Sequence, residues 1–421
     1  MKRKLISIFI FALVFVYCAN IHFVFLPALL RTKLIIGVIG IVYVFFSYLH
    51  RFPKNNITPL LYTIIPLFVW MSLSVLLNSS GDYWFLQFSL VQIAYICGAW
   101  MIVDICGINS VSKLAKLLVL YVLVQNTVAF LGLQIPSIRT FIEVTTYDDV
   151  METQVGRLTY RGLGFGDHVF FGGGIWSCLG LLMLVYLYNV KDLSKTLFAI
   201  LYVYVFFTGL FVARTSMVGI ITLLLLFTPF KKNWYKVVGV SLMTISLFVL
   251  MGSIENWMLQ RGYVVGNAFE LYENYMSTGE ISTSSSESTI SMMSRAPSTL
   301  ETWVLGDARY TDKSGGYYMH TDVGYLRVIW YGGIIGLILY LYQIFRFCYL
   351  IYQKERTIST KYLFLMYYLM TLIFMLKGHA DTSCVLYLFF SAVCIGINNR
   401  NNILTKSLYN RSLYKIKNDN K

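Results

Sequence analysis

Residues 168–188 read HVFFGGGIWSCLGLLMLVYLY, and no Asp, Glu, Lys or Arg occurs between Asp167 and Lys191. A helix that crosses a bilayer needs about 20 consecutive apolar residues, so this stretch by itself predicts a membrane span. Working outward, comparable runs occupy about 5–26, 34–49, 57–77, 84–103, 115–135, 195–212, 216–229, 237–254, 322–345, 361–376 and 384–397. The fold class expected is all-α: a polytopic membrane protein of about 12 transmembrane helices, with 1–421 forming a single integral-membrane domain. Composition agrees, because 57% of residues are hydrophobic and only 13% charged, against roughly 25% charged in soluble domains. That balance excludes a water-soluble globule, a disordered chain and a disulfide scaffold.

The net charge of +14 would point to nucleic acid in a soluble protein; here its distribution sets topology. With Met1-Lys2-Arg3-Lys4 placed inside, 22 Lys/Arg fall on the inner side and 12 on the outer, while 16 of the 20 acids fall outside. Both termini are therefore expected in the cytoplasm, the basic tail 398–421 included, and no nucleic-acid partner is assigned. The first run is too long for a signal-peptide core and is expected to be retained. The seven cysteines lie in or beside spans with no zinc or CxxC spacing, so neither a disulfide nor a metal is expected.

Two outer loops are long, 136–167 and 255–321, and loops of that size are commonly functional or disordered. In the second, Ile254 to Met276 has the spacing of an interfacial helix weakened by Gly262 and Gly266. Ser277–Thr289 is low-complexity and expected to be mobile, and Ser298-Thr299-Leu300-Glu301 has the pattern of a capping box opening a short helix that ends at Gly306.

The choice of base differs between the faces. The inner positives are 16 Lys and 6 Arg, whereas the outer ones are 3 Lys and 9 Arg. Guanidinium presents a planar fork to paired oxygens, which suits a carboxylate or a diphosphate. The competing reading, that these arginines pair with the outer acids or snorkel, weighs most for Arg31, Arg139 and Arg295. Arg161 and Arg214 stand at the outer ends of spans six and eight, where helix amino termini favour anions. His320, Gly324, Arg327 and Tyr331 follow at helical spacing and would share one face if span ten begins at Thr321. Gly172–Gly174, Gly332, Gly333 and Gly336 read as close helix packing. Asp167 reads as a helix cap, His168 as an acid/base candidate, Asp148-Asp149 as a solvated pair, and Lys377-Gly378-His379-Ala380-Asp381 as an outer turn able to line the same cup.

Arg161-Gly162, the hairpin Ala213-Arg214-Thr215-Ser216-Met217-Val218-Gly219, and the stretch from Leu305-Gly306 through His320-Thr321-Asp322-Val323-Gly324-Tyr325 to Gly336 resemble the bacterial O-antigen polymerase and ligase family. The resemblance covers roughly the second half of the chain; the first five spans match as hydropathy only. It implies a GT-C-like, metal-independent glycosyltransferase of the inner membrane that uses undecaprenyl-diphosphate-linked oligosaccharide, with no cofactor, a chain-length regulator and a flippase being possible partners. It further implies Arg161, Arg214 and His320 in transfer, with Arg157, Arg309, Asp322, Tyr325 and Arg327 binding substrate. Polymerase is the favoured reading, and ligase the alternative within the family. A flippase or other carrier is the non-enzyme alternative. It is disfavoured by a link of only Asn189 to Ser194 after span six, where a two-halved carrier has a long central connection. A metal-dependent oligosaccharyltransferase is disfavoured because the first outer loop, Pro27 to Lys33, carries no acid.

Overall fold

The computed structural model describes residues 2–23, 27, 30–50, 57–145, 161–227, 234–266, 268–280, 282–312, 315–379 and 381–398. Arg157, Asp148-Asp149 and the tail beyond 398 lie outside the described residues. Every regular element described is helical: α1 Lys2–Ala19, α2 Thr32–His50, α3 Thr58–Asn78, α4 Trp84–Ile105, α5 Val111–Gln134, α6 Pro136–Thr145, α7 Phe170–Asn189 and α8 Lys195–Val212. A 3-10 run, Arg214–Phe227, follows. Then come α9 Trp234–Gln260, α10 Glu270–Thr278, α11 Ser284–Met293, α12 Leu300–Leu305, α13 Gly324–Lys354, α14 Ile358–Phe374 and α15 Ser383–Asn398.

Six of these, α3, α4, α5, α7, α8 and α13, are long and apolar enough to cross a membrane, and four shorter apolar helices accompany them. Large apolar side chains face outward, among them Phe45, Phe46, Leu76 and Leu77, as expected where the surrounding medium is hydrocarbon. Helix α7 is the hub: it packs against α5, α8, α14 and the 3-10 run, and nearly all its side chains from Gly173 to Leu187 are buried. Runs of 3-10 helix longer than three or four residues are uncommon, yet this one has 14 residues. At about 2.0 Å per residue it covers roughly 28 Å, against roughly 21 Å as α-helix and about 30 Å of hydrocarbon.

The glycine pair in α13 breaks the helix instead of only packing it. Gly332 has φ −127° and ψ 15°, and Gly333 has φ 65° and ψ −169°, a conformation open essentially to glycine alone. The carbonyls of Trp330, Tyr331 and Gly332 at the break find donors. Asp307 N donates to Trp330 O (2.7 Å), Ala308 N to Tyr331 O (3.0 Å), and Trp70 Nε1 to Gly332 O (2.7 Å). Ser74 Oγ also lies 2.8 Å from Tyr331 O and 3.0 Å from Leu305 O. The segment 304–308 is thereby stitched into the break, satisfying backbone that a membrane would leave orphaned.

The second long loop is more ordered than its composition predicts. Between Ser277 and Thr289, α10 ends on Gly279 and α11 opens with a capping box in which Thr283 and Ser286 bond each other's backbone. The interfacial helix expected over 254–276 is divided at Gly262 and Gly266, both with positive φ, into the end of α9 and α10. Helix α12 is capped by Thr299, whose side chain accepts from Thr302 N, and stops at Gly306.

Candidate functional site

Three basic side chains converge around the amino end of α7. Gly162 N donates to Phe211 O at 2.8 Å, fixing the chain at Arg161 against the end of α8, and the Arg161 guanidinium stands 5.7 Å from the Phe170 ring. Gly173 lets α7 approach Val212, and Gly174 lets it approach Ala213 and Thr215, where an added Cβ would already sit 3.0 Å from both side chains. That contact carries Arg214 to the same place. Lys377 lies in the turn after α14, whose Gly378 rests on the Phe171 ring. Arg161 and Arg214 repel each other, and both fields act on Lys377. Burial and these two arginines push its ammonium down to about 8, with Asp322 pulling the other way. Helix α7 has no side-chain cap at Val169, so its first amides and dipole add to the positive field.

Acids temper this cluster. Arg214 forms a buried ion pair with Glu270 at the start of α10, the side chains being 9% and 17% exposed. One carboxylate cannot occupy five guanidinium donors, so the fork keeps capacity for a second anion. Asp167 is not a helix cap: it pairs with Arg31 and Lys33, both at 3.5 Å, and accepts from Asn20 Nδ2 at 2.9 Å. His168 is fully buried, with Nε2 2.8 Å from Asn126 Oδ1, which removes it from acid/base work at an accessible site.

His320 belongs to a different group of residues. Helix α13 begins at Gly324, not Thr321, and a 3-10 turn, Tyr318–His320, with Met319 and His320 both at positive φ, diverts the chain before it. His320 therefore does not share a face with Arg327 and Tyr331. Its imidazole is 76% exposed, with Nδ1 3.7 Å from Asp312 Oδ2. It lines an open cavity of about 840 Å³ together with Asp82, Trp84, Arg309, Asp312 and Tyr318. Arg327 is buried, its guanidinium held between the rings of Tyr310 (3.9 Å) and Tyr317 (3.6 Å). Tyr325 spends its hydroxyl on Leu372 O at 2.7 Å and acts in packing, whereas Asp322 is exposed on the Lys377 side.

The two groups meet at one turn. Lys377 faces the arginines; His379, two residues on, packs edge-on to Trp84 and Tyr310, and burial with the Arg327 charge pushes it down to about 3, so it stays neutral. Sequence reading passed over Asp82, because Ser79-Ser80-Gly81-Asp82 is a short polar turn. Its Oδ1 accepts from Trp84 N, and its Oδ2 accepts from Tyr310 N, Thr311 N and Thr311 Oγ1. Asp82→Ala is expected to lower stability by about 3 kcal/mol by stranding those donors, read as an earlier thermal unfolding transition in detergent.

No protein-family model matches the chain, and neither does any curated protein or solved structure.

Proposed function

We propose that the chain is an integral-membrane glycan polymerase acting at the outer face of the bacterial inner membrane, with twelve spans and both termini inside. It would move a growing glycan from undecaprenyl diphosphate to the next lipid-linked repeat unit. The observation that carries this reading is the convergence of Arg161, Arg214 and Lys377 at the uncapped amino end of α7. A diphosphate needs several fixed cations at a helix amino terminus, and a prenyl chain needs the apolar belt around it.

In the reaction, a hydroxyl oxygen of the acceptor sugar forms the new bond to the anomeric carbon of the donor. The bond from that carbon to the diphosphate oxygen breaks, and undecaprenyl diphosphate leaves with its electron pair. Arg161, Arg214 and Lys377 stabilise the charge gathered on the leaving group. The hydroxyl proton passes to His320 Nε2, with Asp312 Oδ2 3.7 Å from Nδ1 on the other side of the ring. Arg309 lies on the acceptor side of this site and Arg327 supports its wall.

Deleting the gene in its host and running extracted surface glycan on a gel tests the reading. Single repeat units on the anchor are expected, and an unchanged ladder would reject it. A pH dependence follows from Lys377, whose charge is lost as pH rises through about 8. Binding of a prenyl diphosphate should therefore weaken by about tenfold, roughly one charge-assisted contact, between pH 7 and 9.5. Lys377→Arg should remove that decline, as measured by titration of the protein in nanodiscs.

A further inference from the structure

We propose that the cavity beneath the Ser80–Trp84 turn is the binding site for the acceptor saccharide, separate from the cationic cluster that takes the diphosphate. Its identity as the acceptor site rests on the glycosyltransferase reading; its preference for sugar rests on its own walls. At about 840 Å³ it falls within the roughly 300–1,000 Å³ typical of small-molecule sites.

The lining suits a pyranose. Tyr83 and Trp84 supply aromatic rings, against which the C–H face of a sugar ring packs. Around them stand Gln87, Asp312, Arg309 and His320. A sugar hydroxyl both donates and accepts, and this mixture of amide, carboxylate, guanidinium and imidazole offers both partners at several heights. Two carboxylates, Asp82 and Asp312, oppose a phosphate here. The cationic cluster differs in kind, being built on Arg161, Arg214 and Lys377.

The floor is rigid before any ligand arrives. Trp84 stacks on Tyr310 with centroids 3.6 Å apart and planes 12° from parallel. Tyr310 in turn lies against the Arg327 guanidinium, which lies against Tyr317. The Asp82 carboxylate fastens the 310–311 backbone to the turn, and Thr311 forms an isolated antiparallel bridge with Tyr317. A preorganised floor spends less binding energy on ordering itself.

Placement makes the cavity an acceptor site rather than a remote lectin-like one. His320 stands at its edge, so a hydroxyl held there meets the proposed proton acceptor. The turn that carries Lys377 into the cationic cluster carries His379 against Trp84 and Tyr310. Two residues of chain span at most about 7 Å, so this turn ties the cationic cluster to the aromatic packing of Trp84 and Tyr310.

The test uses the full chain in nanodiscs and oligosaccharides released by mild acid from the host's surface glycan. Tyr83→Ala/Gln87→Ala is the informative variant, because both side chains are exposed. Saturable quenching of tryptophan fluorescence is expected with the wild type, at least about tenfold weaker in the double variant, with undecaprenyl diphosphate binding unchanged. Equal oligosaccharide binding by both proteins, or none by the wild type, overturns the proposal. Oligosaccharide binding at the cavity without prenyl diphosphate binding anywhere would uphold the sugar site while rejecting the transferase reading.

Discussion

Arg214→Ala should abolish polymer formation and also reduce the yield of folded protein, whereas Arg161→Ala should do only the former. The difference lies in Glu270, which is mostly buried against Arg214. Removing one partner of a buried pair costs about 3–5 kcal/mol, while removing both is often close to neutral. Arg214→Ala/Glu270→Ala should therefore recover the yield seen by size-exclusion chromatography. Activity should stay down by about a hundredfold or more, the scale of losing a transition-state charge partner. Ladder formation restored in the double variant would mean that Arg214 serves only to neutralise Glu270. A normal ladder with well-expressed Arg161→Ala protein would remove the other half of the clamp.

Gly333→Ala should be severely damaging for a single-methyl change. Its φ of 65° with ψ −169° is strained for any L side chain, by about 1–3 kcal/mol. The added carbon would also overlap the Val304 carbonyl and lie 2.7 Å from Leu305 N. Both are backbone atoms with no rotamer to yield, so the 304–308 segment must lift out of the break. Several stitched carbonyls would then lose donors at about 1–3 kcal/mol each. Gly332→Ala is the control: its Cβ would meet the Met71 sulfur at 2.5 Å, at the end of a flexible side chain. Loss of folded protein with Gly333→Ala and near-normal yield with Gly332→Ala is expected from thermal unfolding in detergent. Equal behaviour would mean that the break does not anchor the loop.

Apolar run length made the helical segments legible in sequence, as at 195–212, where the reading and α8 coincide. It carries no information on where a helix breaks. Gly332-Gly333 reads as packing until the segment that fills the break, about 25 residues upstream, is known. His320 was grouped with Arg327 by helical spacing, and a three-residue 3-10 turn with positive φ undoes that spacing. The serine- and threonine-rich stretch after Ser277 was read by composition, yet its Thr283 and Ser286 form a cap. Arg161 and Arg214 were singled out by residue type and position at span ends, which one chain does reveal. Glu270 facing Arg214, Asp322 acting on Lys377, and the Asp82 crosslink depend on tertiary neighbours far away in sequence.

Native mass spectrometry of the purified protein with undecaprenyl diphosphate, against undecaprenol, addresses the cationic cluster most directly. The account predicts that the wild type prefers the diphosphate lipid by at least about tenfold, and that Arg161→Ala and Arg214→Ala/Glu270→Ala each lose that preference. Equal binding of the two lipids by the wild type, or an undiminished preference in both variants, would contradict it.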